Sequence, residues 1–389
     1  MFYGLCDLPW WGNLLVLLVF TQVTIIGVTV YLHRCQAHRA LNMHPIASHF
    51  FRLWMWLSTG MITKEWAAVH RKHHAKCETN EDPHSPQVFG LTKVLWEGAE
   101  LYRKETANAE TLERYGQGTP DDWIERNLYT KHSKLGVVIM LLLDVMLFGV
   151  PGITIWALQM IWIPFFAAGV VNGVGHYWGY RNFECPDQAR NVFPWGIFIG
   201  GEELHNNHHT YPTSAKLSVK WWEVDMGWFY IRLLELVGLA KAKRRPPEPA
   251  LIPGKTHIDV ETLKAIILNR FHVMAHYSRE VIVPILHQEK QKIQQEGKDM
   301  WKRAKSVLIR ETSLLDTAAK QKLAYFLTHY NSMHVVYDFK ERLQNIWAQS
   351  SLKEKELLEA LQKWCHEAEA TGIKALKEFS NYLKSFSLA

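Results

Sequence analysis

Histidines recurring at one spacing are the residues best suited to carry out chemistry in this chain. The pattern H-x-x-H-H occurs twice, first as His70, His73 and His74 and again as His205, His208 and His209. In a helix, positions i, i+3 and i+4 share one face, so each copy predicts three imidazoles directed to the same side. Neutral imidazole is a common metal ligand. Two copies therefore indicate a metal site rather than unrelated surface histidines.

Two further elements add three histidines to this set. His33 and His38 lie at the end of an apolar run, and His176 follows Asn172 at the i, i+4 spacing of one helix face. His33 and His38 are five residues apart, which places them about 140° apart around an ideal α-helix. Both side chains can bind one metal only if the helix ends or bends at this point.

The number of histidines exceeds what one ion can bind. A structural zinc ion takes four protein ligands, so nine imidazoles suit two ions with about five ligands each. Imidazole binds Fe, Zn, Cu and Ni alike, so the spacing does not name the metal. The predicted ligands are His33, His38, His70, His73, His74, His176, His205, His208 and His209. The side chains predicted to orient these rings through hydrogen bonds are His84, Asp82, Glu65, Glu78 and Glu202.

Composition divides the 389-residue chain into two parts. Residues 9–175 are largely apolar, whereas residues 244–389 are charged and polar. The net charge of +6 does not indicate nucleic-acid binding, because the basic residues are spread along the chain. Trp 17, Phe 17 and Tyr 14 are high counts, and aromatic residues of this kind are enriched at membrane interfaces. The five cysteines form no C-x-x-C motif and are expected to be reduced thiols.

The apolar part predicts three membrane spans and one in-plane segment. The spans are expected near 11–32, 135–150 and 153–175, the last two forming a tight hairpin broken at Gly149, Val150, Pro151 and Gly152. Segment 45–64 is apolar but contains Arg52. If it crossed the membrane, the first two histidine elements would lie on opposite faces and could not share a metal site. We therefore interpret it as an in-plane or re-entrant helix, with an ordinary span as the alternative.

Basic residues after the first span predict an outside N-terminus and a cytoplasmic metal site. Residues 221–239 are expected to form an amphipathic helix on the membrane, with the basic run 241–245 at anionic headgroups. The predicted fold class is all-α, an integral membrane helical bundle with a cytosolic di-metal cap and a C-terminal helical extension. The predicted domains are 1–243, a linker at 244–256 and a helical tail at 257–389.

The closing stretch from Leu361 to Leu383 resembles the C-terminal helices of some bacterial transposases, without an evident acidic catalytic triad.

The histidine elements, in their order along the chain, resemble those of a membrane fatty acid desaturase of the acyl-CoA, delta-9 stearoyl-CoA-like type. The resemblance covers roughly residues 10–240. It rests on H-x4-H at 33–38, Trp66 with His70-Arg71-x-His73-His74, Asp82-Pro83-His84, Asn172-x3-His176-x3-Tyr180-Arg181, and Gly201-Glu202-x-x-His205-Asn206-x-His208-His209.

The resemblance implies a di-iron enzyme that uses O2 and two electrons to insert a cis double bond into a saturated acyl chain. It implies that the nine histidines bind two iron ions, that Asn172 contacts a metal through water, and that no catalytic residue is needed beyond the ligands. Zinc can replace iron in over-expressed protein, because it binds imidazole sites at least as well. By resemblance, the double bond is expected at the delta-9 position of C16–C18 chains.

The substrate and the electron donor are left open by the sequence. The acyl chain is either an acyl-CoA or part of a phospholipid, and Arg71, Lys72 and Arg181 are candidates for binding its headgroup. No His-Pro-Gly-Gly cytochrome domain is fused, so a separate ferredoxin- or cytochrome-like donor is expected. Long C-terminal tails occur in bacterial members of the group, and the expected location is a bacterial inner membrane with the active site facing the cytoplasm.

Two other functions are compatible with the same residues. A related di-iron membrane hydroxylase shares the histidine set, and the mass of the product would distinguish it. The second alternative is a non-catalytic membrane metal-binding or metal-transport protein, and transport would need polar residues through the spans. The spans here are nearly uncharged, and Asp144 is the only charge in the hairpin of the second and third spans.

Overall fold

The chain folds into two compact units. The computed structural model describes residues 4–292, 301, 303–348 and 353–388. The first unit comprises Met1–Arg181 and Asp187–Pro246, and the second comprises Asn182–Pro186 and Pro247–Ala389. Both units are mostly helical, in agreement with the predicted helical fold class.

The helices of the first unit are interrupted three times by π-helix, in which the hydrogen bonds run from residue i+5 to residue i. In chain order they are α1 (Trp10–Ile26), π1 (Gly27–Ala37), α2 (Pro45–Thr59), α3 (Thr63–Lys76), α4 (Pro86–Phe89), α5 (Leu91–Thr106), α6 (Ala109–Tyr115), π2 (Glu125–Thr130), α7 (Ser133–Phe148), α8 (Val150–Ile163), π3 (Pro164–Val174), α9 (His205–Thr210) and α10 (Met226–Leu236).

Short strands join distant parts of the first unit. Strand β1 (Leu41–Met43) pairs antiparallel with β4 (Ala240–Ala242), with Leu41 opposite Ala242. Strand β2 (Trp195–Gly196) pairs parallel with β3 (Val224–Asp225). The first pair fixes the segment after π1 against the segment after α10.

Two continuous helices are long and apolar enough to cross a membrane, among the described residues. They are Trp10–Ala37, which combines α1 and π1, and Val150–Val174, which combines α8 and π3. The first has 28 residues and is about 42 Å long, which exceeds a hydrocarbon core of about 30 Å. Each helix therefore has the length to cross the hydrocarbon core and still extend beyond it, and each carries histidine-element residues at its C-terminal end.

The hairpin between α7 and α8 turns more sharply than the sequence predicts. The break was expected to span residues 149–152, but the turn consists of Gly149 alone, with φ at +68°. Pro151 lies in the first turn of α8, where backbone N–H groups have no acceptor within the helix, so the absence of an N–H on proline breaks no hydrogen bond. Gly152 allows the close approach of α7, because a Cβ there would collide with the carbonyl oxygen of Asp144. Helix α7 has 16 residues and does not reach the length of the two spanning candidates.

Helix α2 lies within the segment that was predicted to be in-plane. It has 15 residues and is about 22 Å long, too short to cross the hydrocarbon core alone. Its Arg52 is buried and pairs with Asp122 at 2.5 Å and Glu125 at 3.1 Å, so the charge inside the apolar run is neutralised within the protein. The orientation of α2 relative to the membrane stays a prediction.

The predicted amphipathic helix at 221–239 is shorter than expected. Helix α10 begins at Met226, because the side chain of Asp225 caps it by accepting the N–H of Trp228 at 2.9 Å. The preceding residues contain β3. The helix exposes large apolar side chains at Phe229, Leu233 and Leu236.

The second unit is a helical module with its own hydrophobic core. Its helices are Val260–Leu268, Arg270–Tyr277, Ser278–Ile282, Val283–Lys292, Ala304–Ile309, Thr312–Leu314, Thr317–His329, Asn331–Ala348, Glu354–Ala370 and Lys374–Lys384. Strand β5 (Ala250–Leu251) pairs antiparallel with β6 (Phe386–Ser387), which ties the start of the unit to its end. The buried Trp364 lies at the centre of the core, in contact with the rings of Tyr277 and Phe379.

The packing of α5 against π3 gives a stability prediction. A Cβ on Gly98 would lie 2.5 Å from the carbonyl oxygen of Ala168, so Gly98→Ala forces the two helices apart. We expect a loss of about 1–3 kcal/mol, measured by thermal unfolding in detergent. Gly173→Ala on π3 is the matched control, because its Cβ would meet only ordinary contacts, the nearest at 3.4 Å. Equal melting temperatures for the two variants would contradict this account of the packing.

Candidate metal centre

The histidine side chains converge in two adjacent groups. In the first group, the donor atoms of His33, His38, His70, His74 and His208 all lie within 4.8 Å of one another. The second group contains His73, His176 and His209, which satisfy the same criterion together with Cys77. His205 belongs beside the second group, since its Nε2 lies 3.0 Å from the Nε2 of His176.

Each H-x-x-H-H element is divided between the two groups, so its three imidazoles do not point to one spot as the helical spacing suggested. The i, i+4 pair His70 and His74 joins the first group, and His73 joins the second. In the other element, His208 joins the first group, while His205 and His209 lie in the second. Helices α3 and α9 therefore each contribute to both groups and hold them together.

The distances between imidazole nitrogens match those of ligands on a common ion. The Nε2 atoms of His38 and His70 are 2.8 Å apart, and those of His74 and His208 are 2.9 Å apart. In the second group, the Nε2 atoms of His73 and His176 are 3.1 Å apart. Ligands at right angles on an ion with metal–nitrogen bonds of 2.0–2.1 Å would be about 2.9 Å apart. The residues present therefore fit a pair of metal ions.

Helix π1 explains how His33 and His38 reach the same group. The N–H of His38 donates to the carbonyl oxygen of His33 at 3.0 Å, a bond from residue i+5 to residue i. Residues five apart are then one turn apart and share a face, and the two ring centroids lie 4.8 Å from each other. The sequence predicted a helix end or a bend here. The helix does end at His38, but π-helical winding is what aligns the rings.

Four carboxylates hold the outer nitrogen of four imidazoles. Each distance below joins the Nδ1 of the imidazole to a carboxylate oxygen. In the chain order of the histidines, Glu202 is 2.7 Å from His33 and Asp82 is 2.9 Å from His73. Glu78 is 3.3 Å from His176, and Asp187 is 2.9 Å from His209. A carboxylate at Nδ1 fixes the tautomer that leaves the Nε2 lone pair directed inward. Asp187 belongs to none of the histidine elements, and the sequence offered no signal for it.

His84 and Glu65, the other two residues predicted to orient the ligands, do not hold an imidazole nitrogen in this way. The ring of His84 packs against that of His73, with centroids 4.4 Å apart, and its backbone N–H donates to Asp82 at 3.1 Å. Among the described residues, Glu65 has no hydrogen bond to any of the nine histidines. Burial raises the pKa of Glu65, and this carboxyl group lies near Tyr102 instead.

A buried arginine, missed in the sequence, supports the first group. Arg34 follows His33 directly and donates to both carboxylate oxygens of Asp225, at 2.8 and 3.1 Å. It also donates to the carbonyl oxygens of Gly200, at 3.0 Å, and Ala215, at 2.9 Å. These bonds fix the end of π1 against the loop that leads to α9, where Glu202 meets His33.

Burial keeps most of the cluster uncharged. It lowers the pKa of seven of the nine histidines, an effect increased by neighbouring histidines: His38, His70, His74, His176, His205, His208 and His209. Burial acts in the same direction on His73, but the Asp82 carboxylate outweighs it and the pKa of His73 is raised. Burial also raises the pKa of Glu78 to about 7. Neutral imidazole is the form that binds metal ions.

An apolar cavity leads to the histidines. Its lining includes Val28, Met61, Trp66, Ile163, Ala168 and Ile199. At the metal-binding end it is lined by His33, His70, His205 and Asn172. Asn172 lies on π3, four residues before His176, and lines the cavity.

The three basic residues predicted to bind a substrate headgroup make internal contacts instead. Arg71 donates to four carbonyl oxygens, those of Gln36, Ala37, Tyr115 and Gln117, at 2.7–2.9 Å. Lys72 donates to Glu105 at 2.7 Å. Arg181 donates to the carbonyl oxygens of Asp187 and Ala189. These contacts give no support to a headgroup role.

Comparison with known proteins shows that two family models match different parts of the chain. A family model described as fatty acid desaturase matches residues 9–232, and one described as transposase matches residues 262–387. The second match includes the closing stretch whose likeness to transposases the sequence indicated.

Several curated proteins are similar to the first part of the chain. Delta-9 acyl-lipid desaturase 1 of Arabidopsis thaliana is 30% identical over 61% of this chain and 77% of its own length. The sn-1 stearoyl-lipid 9-desaturase of Synechocystis is 32% identical over 58% of this chain and 70% of its own length. The sn-2 palmitoyl-lipid 9-desaturase of Nostoc is 32% identical over 64% of this chain and 87% of its own length. Because the desaturase model covers more than half of the chain and runs through every histidine element, the chain belongs to the fatty acid desaturase family of oxidoreductases.

Proposed function

We propose that this protein is a membrane desaturase that uses a histidine-bound pair of iron ions to introduce a delta-9 cis double bond into C16–C18 acyl chains of lipids. One observation carries the proposal. Two adjacent groups of imidazole nitrogens lie at the end of an apolar cavity. Family membership favours iron over the other metals that imidazole binds.

The ligands divide between the two ions as the histidine groups divide. His33, His38, His70, His74 and His208 would hold one ion. His73, His176, His205 and His209 would hold the other, with Asn172 contributing through water. Burial favours the neutral form of most of these imidazoles, His70 and His205 among them, and neutral imidazole is the form that binds a metal ion.

When bound, an iron pair would supply O2 activation: O2, two electrons and two protons would accept the two hydrogen atoms removed from adjacent carbons, giving two molecules of water. The protein supplies position. An unactivated methylene group offers no polar handle, so the walls of the cavity must decide which carbon meets the metal pair. Apolar side chains such as Val28, Ile163 and Ile199 would exclude water around the acyl chain. The carboxylates of Glu202, Asp82 and Asp187 keep the ligand rings from rotating.

A lipid-bound acyl chain is the substrate form that we favour over acyl-CoA. The similar proteins from Synechocystis and Nostoc carry names that specify stearoyl-lipid and palmitoyl-lipid substrates. Arg71, Lys72 and Arg181, the basic residues considered for phosphate binding, have internal partners. The delta-9 position also follows from the names of the similar proteins.

The hydroxylase alternative would use the same metal pair and a similar cavity. It differs in adding one oxygen atom to the product instead of removing two hydrogens.

We propose a multi-pass membrane protein with its metal centre on the cytoplasmic side, in a bacterial inner membrane, supplied with electrons by a separate ferredoxin- or cytochrome-like protein.

Ligand substitutions test the proposed activity in a host without desaturases. His70→Ala and His205→Ala, one from each group, should reduce new unsaturated chains by more than about 100-fold, beyond the loss typical of groups that only orient ligands. His49→Ala is the matched control, because His49 is exposed and belongs to neither group. Fatty acid profiling measures the outcome. Absence of unsaturated chains with the unaltered protein, when iron and a donor are supplied, would refute the function.

Asp82 provides a test of the orienting carboxylates. Asp82→Asn weakens the hold on His73 Nδ1 and should lower metal affinity about 10- to 100-fold, measured by competition with a chelator. Glu81→Gln is the matched control, since the neighbouring Glu81 is exposed and pairs only with Lys76 among the described residues. Unchanged affinity in the Asp82 variant would show that this carboxylate does not support the site.

The substrate form can be decided with purified protein in vesicles. With a reductant and donor present, vesicles containing a stearoyl phospholipid should yield lipid that has lost two hydrogens, detected by mass spectrometry of the intact lipid. Added stearoyl-CoA should remain saturated. Turnover of stearoyl-CoA alone would reverse the substrate assignment, and a product heavier by one oxygen would favour the hydroxylase.

A further inference from the structure

Cys77 lies beside the second histidine group. It ends helix α3 and follows His73 by four residues, so it continues the face of the helix that carries the histidines. Its sulfur and the donor atoms of His73, His176 and His209 all lie within 4.8 Å of one another. In the sequence, Cys77 is one of five cysteines that are expected to be reduced thiols.

His209 gives independent evidence that a ligand belongs at this place. The Nδ1 of His209 is held by Asp187 at 2.9 Å, while its Nε2 is buried without a hydrogen-bond partner. The side chain is 1% exposed. A buried acceptor of this kind costs free energy unless it is paired, and a metal ion would pair it.

The two histidine groups also differ in the number of imidazoles they contain. Five imidazoles form the first group, whereas the second has four, namely His73, His176, His205 and His209. Four imidazoles and the water proposed at Asn172 leave one further position on a six-coordinate ion, and the Cys77 sulfur is close enough to fill it. Among the described residues, no cysteine joins the first group.

We propose that the sulfur of Cys77 is a ligand of the metal ion in the second group. The inference rests on the proposed metal pair. On binding, the S–H bond breaks, a metal–sulfur bond forms, and the proton passes to solvent, with no change in oxidation state. A thiolate is a softer donor than imidazole, so the second position should bind zinc and other thiophilic ions more tightly than the first.

Cobalt substitution tests the sulfur ligand without relying on activity. The full-length protein loaded with Co(II) should show a thiolate-to-cobalt charge-transfer band in the near ultraviolet. Cys77→Ser should remove that band, and the matched control Cys35→Ser should retain it, because Cys35 is half-buried in π1 and belongs to no donor group. Cobalt bound to the unaltered protein without such a band would overturn the Cys77 ligand and leave the metal pair standing. Failure to bind any cobalt would overturn both.

Alkylation of the unaltered protein provides a second measurement, independent of how the variants fold. Cys77 is half-buried without metal and so accessible to a small alkylating reagent. Loading with zinc should slow its modification at least about tenfold, because the bound thiolate is no longer nucleophilic. The exposed Cys6 should react at the same rate in both states and serves as the internal control. Equal rates at Cys77 with and without zinc would contradict the proposal.

Discussion

The structure depends on keeping imidazole nitrogens directed toward one another across distances of about 3 Å. Closely packed rings do not hold this arrangement by themselves, because each ring is free to rotate or to change tautomer. Carboxylates on the outer side remove that freedom for His33, His73, His176 and His209. Each carboxylate lies at the Nδ1 side of its ring and favours the tautomer whose Nε2 lone pair faces inward. Burial then favours the neutral form that a metal ion needs.

The long helices bring these groups together at one end of the first unit. Helix π1 ends the Trp10–Ala37 helix, and π3 ends the Val150–Val174 helix. In both, the winding changes from α to π where residues of the histidine elements occur. π-Helical turns are rare and are often found at functional sites. The change aligns His33 with His38, and Arg34 then fixes that end against the loop before α9.

The parts of the site that the sequence predicts are those carried by local patterns. Helical periodicity predicts that the members of each H-x-x-H-H element share a helix face, and recurrence of the pattern predicts that several elements meet. The orienting roles of Glu202 and Asp82 could also be predicted, because both residues are close to histidine elements in the sequence. The assignment of the nine candidate histidines to two metal ions stays a prediction, which metal loading tests.

Other features depend on tertiary contacts that no local pattern reveals. No local pattern in residues 27–37 marks the π-helical winding of π1, and the sequence therefore predicted a helix end or a bend there. Asp187 reaches His209 across 22 positions from a loop without a motif. The division of each histidine element between two groups follows from the position of α3 relative to α9. Arg71 was a candidate phosphate ligand, but it donates to four backbone carbonyls, because the end of π1 and the segment at the end of α6 meet beside it.

The most direct test of the metal pair is anomalous scattering from the metal-loaded protein. This account predicts two peaks, one among His33, His38, His70, His74 and His208, and the other among His73, His176, His205 and His209. A single ion, or ions bound away from these two groups, would contradict it.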